Sequence, residues 1–323
     1  MSGESGPVLA LSGGVGGAKL ALGLYHVLPP ETLTVVANTG DDFEHLGLQI
    51  SPDIDTLLYT LSGQDNPELG WGRRGETWTF MAALEALGGE SWFRLGDGDL
   101  ATHIERTRRL KSGESLSAVI DDFRTRLGIA AVLLPMSDDV VRTRVRTVVG
   151  PETDSEGWLD FQDYFVRLHC EPVVSALDFA GAGLAEPHTR FLALLSDPTL
   201  RAVVICPSNP FISIDPILAV PGIRDVLRAC HAPVIAVSPI IAGQAVKGPT
   251  AKMMAELGLP VAAATVARHY HDFLDAYIAD EQDAAAVLDL DLPVTLARTL
   301  MQSLDDRKAL AGVVLKAADQ VRK

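Results

Sequence analysis

Residues 8–37 constrain the fold most. The apolar run Val8-Leu9-Ala10-Leu11 ends at Ser12-Gly13-Gly14-Val15-Gly16-Gly17, and apolar residues then recur at helical spacing from Ala18 to Leu28. Pro29-Pro30 stops that helix, and Leu33-Thr34-Val35-Val36-Ala37 follows as a continuous β-branched run. An unbroken apolar run of this kind suits a strand buried on both faces. Strand, glycine turn, helix and strand in that order need a crossover, which makes the two strands parallel neighbours.

The pattern returns later. Ala202–Cys206 and Pro233–Val237 read as buried strands, each running into a loop, Pro207-Ser208-Asn209-Pro210 and Ser238-Pro239. Helices are predicted from Pro52 to about Leu61, with Ser51 or Asp53 as cap, and at 250–257 and 294–320. Residues 62–128 are helical in pattern with glycine breaks, 129–134 can form a strand, and 140–149 with 158–168 suggest an antiparallel hairpin. The expectation is one α/β domain over 1–323. It would be a Rossmann-like parallel sheet flanked by helices, with a smaller, mostly helical insertion at approximately 62–168 covering the cleft.

Composition narrows the function. A formal charge of −15 argues against a nucleic-acid partner, which would need a basic face. It still permits a small phosphate ligand if a metal reverses the local field. Cys170, Cys206 and Cys230 show no CxxC or zinc spacing and read as reduced thiols. The polar start lacks a basic leader pattern, and no apolar run reaches the roughly 18 residues of a membrane helix. A cytoplasmic protein with no membrane partner is expected.

The strongest chemical signal is acidic. Asn38-Thr39-Gly40-Asp41-Asp42 follows the second strand, and Ser51-Pro52-Asp53-Ile54-Asp55-Thr56 opens the next helix. Carboxylates at a strand's C-terminal end beside a glycine loop suit magnesium and a phosphorylated ligand. Asp53 reads as a cap, leaving Asp41 with Asp55 as the metal pair. The turn at 12–19 is neither a dinucleotide fingerprint, because Lys19 stands at the third glycine's place, nor a Walker loop. Anion binding at a helix N-terminus survives.

Other segments stay open between two readings. Ser208-Asn209 are either ligand-binding groups or a rigid turn, and Arg94 to His103 from spacing alone is a turn with a helix cap. Lys247 could add a cation. Trp71, Trp78, Trp92 and Phe93 could wall a flat ring or pack in a core.

In order along nearly the whole chain, SGGVGGAKL, NTGDD, ISPDIDTLLYTL, LGDGDLATH, LPMSDD, FQDYFVR, PSNPFISIDPILAVPGIR and AVSPIIAGQAVKGP resemble the 2-phospho-L-lactate transferase family (CofD-type) of coenzyme F-420 biosynthesis. The resemblance implies transfer of a phospho-linked three-carbon acid (phospholactyl, phosphoenolpyruvyl or phosphoglyceryl) from its guanosine diphosphate conjugate. The acceptor is the ribityl hydroxyl of the deazaflavin Fo, GMP leaves and magnesium assists. By the same resemblance Asp41 and Asp55 are catalytic and metal-binding, and Asp55 and Arg94 contact the deazaflavin. Asn38, Thr39, Gly13, Gly14, Gly16, Gly17, Ser208 and Asn209 bind substrate, and a homodimer is implied. One departure stands out: the family usually reads Leu-Gly-Asp-Arg-Asp where this chain has Gly98, so if that arginine meets a phosphate this protein must supply the charge elsewhere or accept a different acid conjugate. A nucleotide-sugar-binding regulator of the gluconeogenesis-factor type is the alternative. A nicotinamide oxidoreductase is disfavoured by the missing third glycine and by a second strand ending in Asn-Thr-Gly.

Overall fold

A computed structural model describes residues 6–67, 71–246 and 248–322. Lys247, Gly70 and the polar start thus lie outside the described residues. Seven strands form one parallel sheet: β1 (Val8–Ser12), β2 (Leu33–Ala37), β3 (Val132–Pro135), β4 (Ala202–Ile205), β5 (Val234–Val237), β6 (Ala276–Asp280) and β7 (Val294–Ala297). Their spatial order is β3-β2-β1-β4-β5-β6-β7, with every pairing parallel.

Both faces of the sheet are covered, which is why its strands read as unbroken apolar runs. Val8, Ala10 and Val35 face one core with Leu20 and Leu24 of α1 (Gly14–Val27) and with Leu310 and Val314 of the C-terminal helix Leu304–Gln320. Leu9, Leu11, Val36, Val203 and Ile205 point the other way, into a larger core that includes Phe191, Ile217 and Leu227. The alternation along β1 follows the two-residue period of a strand.

Between β2 and β3 the chain builds α2 (Pro52–Leu61), α3 (Thr79–Ala86), α4 (Asp97–Lys111) and α5 (Leu116–Arg126). The stretch 62–168 returns to the main sheet midway, because Val132–Pro135 pairs with β2 as its edge strand. Beyond β3, Arg142–Arg146 is the centre of a three-stranded antiparallel sheet flanked by Trp158–Asp160 and Ala176–Ala180. The predicted hairpin is present, but its second arm ends at Asp160 and Asp163–Arg167 forms a wide helical turn. The helix expected from 294 begins at Leu304; the residues before it give β7, whose apolar run suits either structure when read locally. No described helix is long and apolar enough to cross a membrane.

Strand order reverses at β1. The chain moves outward from β1 to β2 and β3, then resumes on the other side with β4. In such sheets the loops at the carboxyl ends of those two central strands part and leave a crevice.

Candidate active site

That crevice is a cleft of about 700 Å3 lined by the turn after β1, the loops after β2 and β4, and the helical segment between β2 and β3. Gly13, Gly14, Gly16, Lys19, Ser208 and Asn209 form one side. Gly13 N–H donates to Ser208 Oγ at 3.1 Å and Ser208 Oγ donates to the Gly13 carbonyl at 2.7 Å, which ties the β1 and β4 loops together. Gly14 has φ +67°, a conformation only glycine adopts without strain. A Cβ at Gly16 would strike the Pro207 carbonyl, and one at Gly17 would meet the Ser12 and Ser208 hydroxyls. Gly17 is buried in this packing and does not line the cleft. Asn209 accepts from the Phe211 N–H at 2.9 Å, so it shapes the following turn while its residue borders the cleft. Lys19 Nζ donates to the Met301 carbonyl at 3.1 Å.

The acids divide into two groups, and the division follows helix geometry. Asp53 and Asp55 are two residues apart on α2, and at about 100° per residue their side chains diverge by roughly 200°. Asp53 turns toward the glycine turn, where its Oδ1 accepts the Gly14 N–H at 2.6 Å. Its Oδ2 shares the Asn38 amide with Asp41 Oδ1, both at 2.9 Å, and Asn38 Nδ2 also reaches the Ile212 carbonyl at 3.2 Å. Asn38 Oδ1 accepts the Gly40 N–H at 2.8 Å. Asn38 and Thr39 are buried behind the cleft wall, with the Thr39 hydroxyl unpartnered, whereas Asp41 and Asp53 line it.

Burial pushes Asp41 well above the carboxylate range, helped by the charge of Asp53 and opposed by the Asn38 hydrogen bond. Burial also moves Asp53 up to about 6, against the hydrogen bonds from Asn38 and Gly14. Asp42 goes up to about 7 for the same reason, against the charge of Arg142 and the hydrogen bond from Ser51. Ser51 Oγ donates to Asp42 Oδ2 at 2.8 Å, so neither Ser51 nor Asp53 caps α2 by its side chain.

Asp55 faces α4. Arg106, fully buried, grips both its oxygens, with Nη1 3.0 Å from Oδ2 and Nη2 on Oδ1. His103 Nδ1 lies 3.7 Å from Asp55 Oδ2, and its Nε2 is 3.1 Å from Asp99 Oδ2. Tyr59 donates to Asp99 Oδ1 at 2.5 Å. Burial works against the charge on Asp99, yet the hydrogen bond and charge of His103 hold it below its ordinary value.

The expected metal pair is therefore split: Asp41 meets Asp53, while Asp55 meets Arg106, Asp99 and His103. The sequence reads Asp53 as a cap, leaves His103 open between a surface helix residue and a base, and does not single out Arg106; His103 is buried. The clue was available, since positions 99, 103 and 106 fall on one face of a helix. Donor atoms of Asp55, Asp99 and His103 all lie within 4.8 Å of one another. The Arg106 guanidinium on Asp55 opposes a cation there. Asp41 and Asp53, two buried all-oxygen donors crowded together, suit a hard divalent cation better.

Aromatic rings also line the cleft. Trp71, Trp92 and Phe93 border the cleft, as do Phe161 and Phe165, which stack at 5.3 Å with planes 18° apart. Trp78 instead packs against a small core of Ile50, Met81 and Leu95, with Arg94 4.3 Å above its ring. Arg94 is exposed and lines the cleft.

The family model described as 2-phospho-L-lactate transferase CofD matches residues 8–300. The chain belongs to the CofD family. It is 41% identical over 321 residues to a phosphoenolpyruvate transferase of Streptomyces griseus, covering 98% of this chain and 99% of that protein. It is 39% identical over 313 residues to a 2-phospho-L-lactate transferase of Methanosarcina mazei, covering 96% of this chain and all of that protein, 100%. The crystal structure of a UPF0052-family protein from Bacillus halodurans superposes with a TM-score of 0.62, covering 96% of this chain and 99% of that one. At 14% identity that likeness speaks to the fold alone. In this CofD-family protein the cleft is bordered by the glycine turn, by Asp41, Asp53, Asp55 and Asp99, and by the rings of Trp71, Trp92 and Phe93.

Proposed function

We propose that the protein transfers a phospho-linked three-carbon acid from its guanosine diphosphate conjugate to the ribityl hydroxyl of Fo, releasing GMP, in coenzyme F-420 biosynthesis. The observation that carries this reading is the cleft itself, whose lining brings together the glycine turn, Asp41, Asp53 and Asp55, and the rings of Trp71, Trp92 and Phe93. The first turn of α1 and Lys19 attract the diphosphate. Trp71, Trp92 and Phe93 offer faces to a planar ring.

Magnesium would be held by Asp41 and Asp53, two carboxylates that burial pushes above their ordinary range. When bound, it would neutralise charge on the phosphate oxygens. Arg106 fixes the Asp55 carboxylate in one orientation at the cleft wall, and there Asp55 orients the attacking hydroxyl and accepts its proton. A loose phosphoryl-transfer transition state asks more for alignment than for basicity. Asn38 keeps Asp41 and Asp53 in register.

Relatives carrying the two transferase names are similarly close, at 41% and 39% identity, so the acid is decided by assay. Purified protein is given Fo, magnesium and each guanylylated acid in turn, and products are read by mass spectrometry. One conjugate should give a deazaflavin product with stoichiometric GMP. Asp41→Ala and Asp55→Ala should abolish turnover with the fold intact. No product from any conjugate, together with thermal stabilisation by nucleotide sugars but not by Fo, would return the sensor reading.

A further inference from the structure

The Gly96-Asp97-Gly98-Asp99 run at the start of α4 has a structural logic that the reaction does not use up. Its two aspartates point apart. Asp99 reaches into the cleft toward Tyr59 and His103, whereas Asp97 accepts from Thr77 Oγ1 at 2.5 Å and from the Thr79 and Phe80 N–H groups at 3.1 and 3.0 Å. Its two glycines make room. A Cβ at Gly96 would collide with the Glu76 carboxylate, and the point where a Cβ of residue 98 would sit is taken by Arg73 Nη1. Glu76 in turn accepts the Gly98 and Asp99 N–H groups at 2.6 and 2.9 Å. Arg73 Nε donates to Gln64 Oε1 at 3.0 Å, and Arg74 N–H donates to the Gln64 carbonyl at 2.8 Å. Trp71 precedes this docked segment and borders the cleft, although 47% of its surface is exposed. A separate small pocket lies between Trp71, Arg73, Glu76, Trp78 and Asp99, and of these Trp71 and Asp99 also border the main cleft.

We infer that Arg73 is a positioning residue for the flat-ring substrate: with Gly98 leaving space for its guanidinium, it seats residues 71–77 on α4 and so holds Trp71 as a wall of the cleft. Gly98 and Arg73 thus act as one unit. A side chain at 98 evicts Arg73, and loss of Arg73 releases Trp71. Glycine at 98 is not required by its own backbone, since it lies in α4 without a positive φ. What a side chain there would meet is the Arg73 guanidinium, with the Glu76 carboxylate beside it.

This inference rests on the proposed reaction for its substrate and on the fold alone for its docking, and the two parts are read separately. In Arg73→Met, hydrogen exchange at 71–77 and at the Gly98 and Asp99 amides should speed up about tenfold or more. The KM for Fo should rise about tenfold or more with the loss of the Arg73–Gln64 hydrogen bond and of the guanidinium packed against Gly98. The KM for the guanylylated acid should stay within about twofold, because Arg73 bonds to Gln64 and does not line the main cleft beside the glycine turn. Gly98→Leu should reproduce the pattern with Arg73 intact, and Gly98→Ala serves if either variant folds poorly. Unchanged exchange overturns the docking. Faster exchange with an unchanged KM for Fo, or with both KM values rising together, overturns the role in substrate binding. If the unaltered protein binds Fo yet transfers nothing to it, the proposed function falls, and the Kd for Fo replaces KM in deciding this inference.

Discussion

The Arg106–Asp55 pair allows a sharp test of how the site is held together. Arg106 is fully buried and both of its terminal nitrogens bind Asp55, whose side chain is 8% exposed. Arg106→Met keeps most of the stem's volume but leaves the carboxylate buried and unpaired. Removing one partner of such a pair costs about 3–5 kcal/mol, against about 0–1 kcal/mol for an exposed pair. For 323 residues the unfolding entropy at the midpoint is roughly 0.7 kcal/mol/K at about 2.1 cal/mol/K per residue. The expected drop in Tm is therefore about 4–7 °C, read by calorimetry. Asp55→Asn combined with Arg106→Met should lose less than Arg106→Met alone, because no bare carboxylate remains. Arg106→Lys should fall between, keeping a charge but losing the fork. A Tm drop below about 1.5 °C for Arg106→Met would show that water reaches Asp55, and the argument that Arg106 fixes its orientation would fail with it.

Three further outcomes follow from single groups. Asp42, with a folded pKa of about 7, takes up protons in the native state well above its unfolded value, so it costs stability as pH rises from about 4 through about 7. Asp42→Asn should therefore be the more stable protein at pH 8, by at most about 4 kcal/mol, and should lose this advantage by pH 4. Parallel Tm curves for the two proteins across that range would contradict it. Asp272 shows the opposite sign. Arg224 and Arg228 hold it down to about 2, so its contribution is present above about pH 4 and disappears as pH falls toward 2. Solvent at the Arg228 side reduces the gain to about 1 kcal/mol, and Asp272→Asn should flatten the acid limb of the Tm profile by that amount. Gly16→Ala should force α1 off the Pro207 carbonyl and cost about 1–3 kcal/mol, with weaker binding of GDP measured by calorimetry.

What could be read in advance was whatever a short stretch of chain determines through its own periodicity. Continuous apolar runs at 8–11, 33–37, 202–206 and 233–237 announced doubly covered parallel strands, and the turn at 12–17 announced a helix start at the sheet's ligand edge. The edge strands were harder, because β7 at Val294–Ala297 is half-exposed and its apolar run fits a helix as well as a strand. The stretch 129–134 was legible as a strand, but its membership of the main sheet depends on pairing with β2, a contact nearly a hundred residues away in the chain.

The acids show the same boundary at closer range. That Asp41, Asp53 and Asp55 cluster near one another was evident from two motifs. Which carboxylate meets which partner was decided by the tertiary structure. The turn of α2 sends Asp53 and Asp55 in opposite directions, and only the docking of α4 brings Arg106, Asp99 and His103 to the second of them. The same holds at Gly98, where the local sequence shows an absent side chain and only the packed loop shows the arginine that fills its place. Backbone conformation is set by neighbours in sequence, whereas the charge that a buried carboxylate meets is set by whatever surface the fold presses against it.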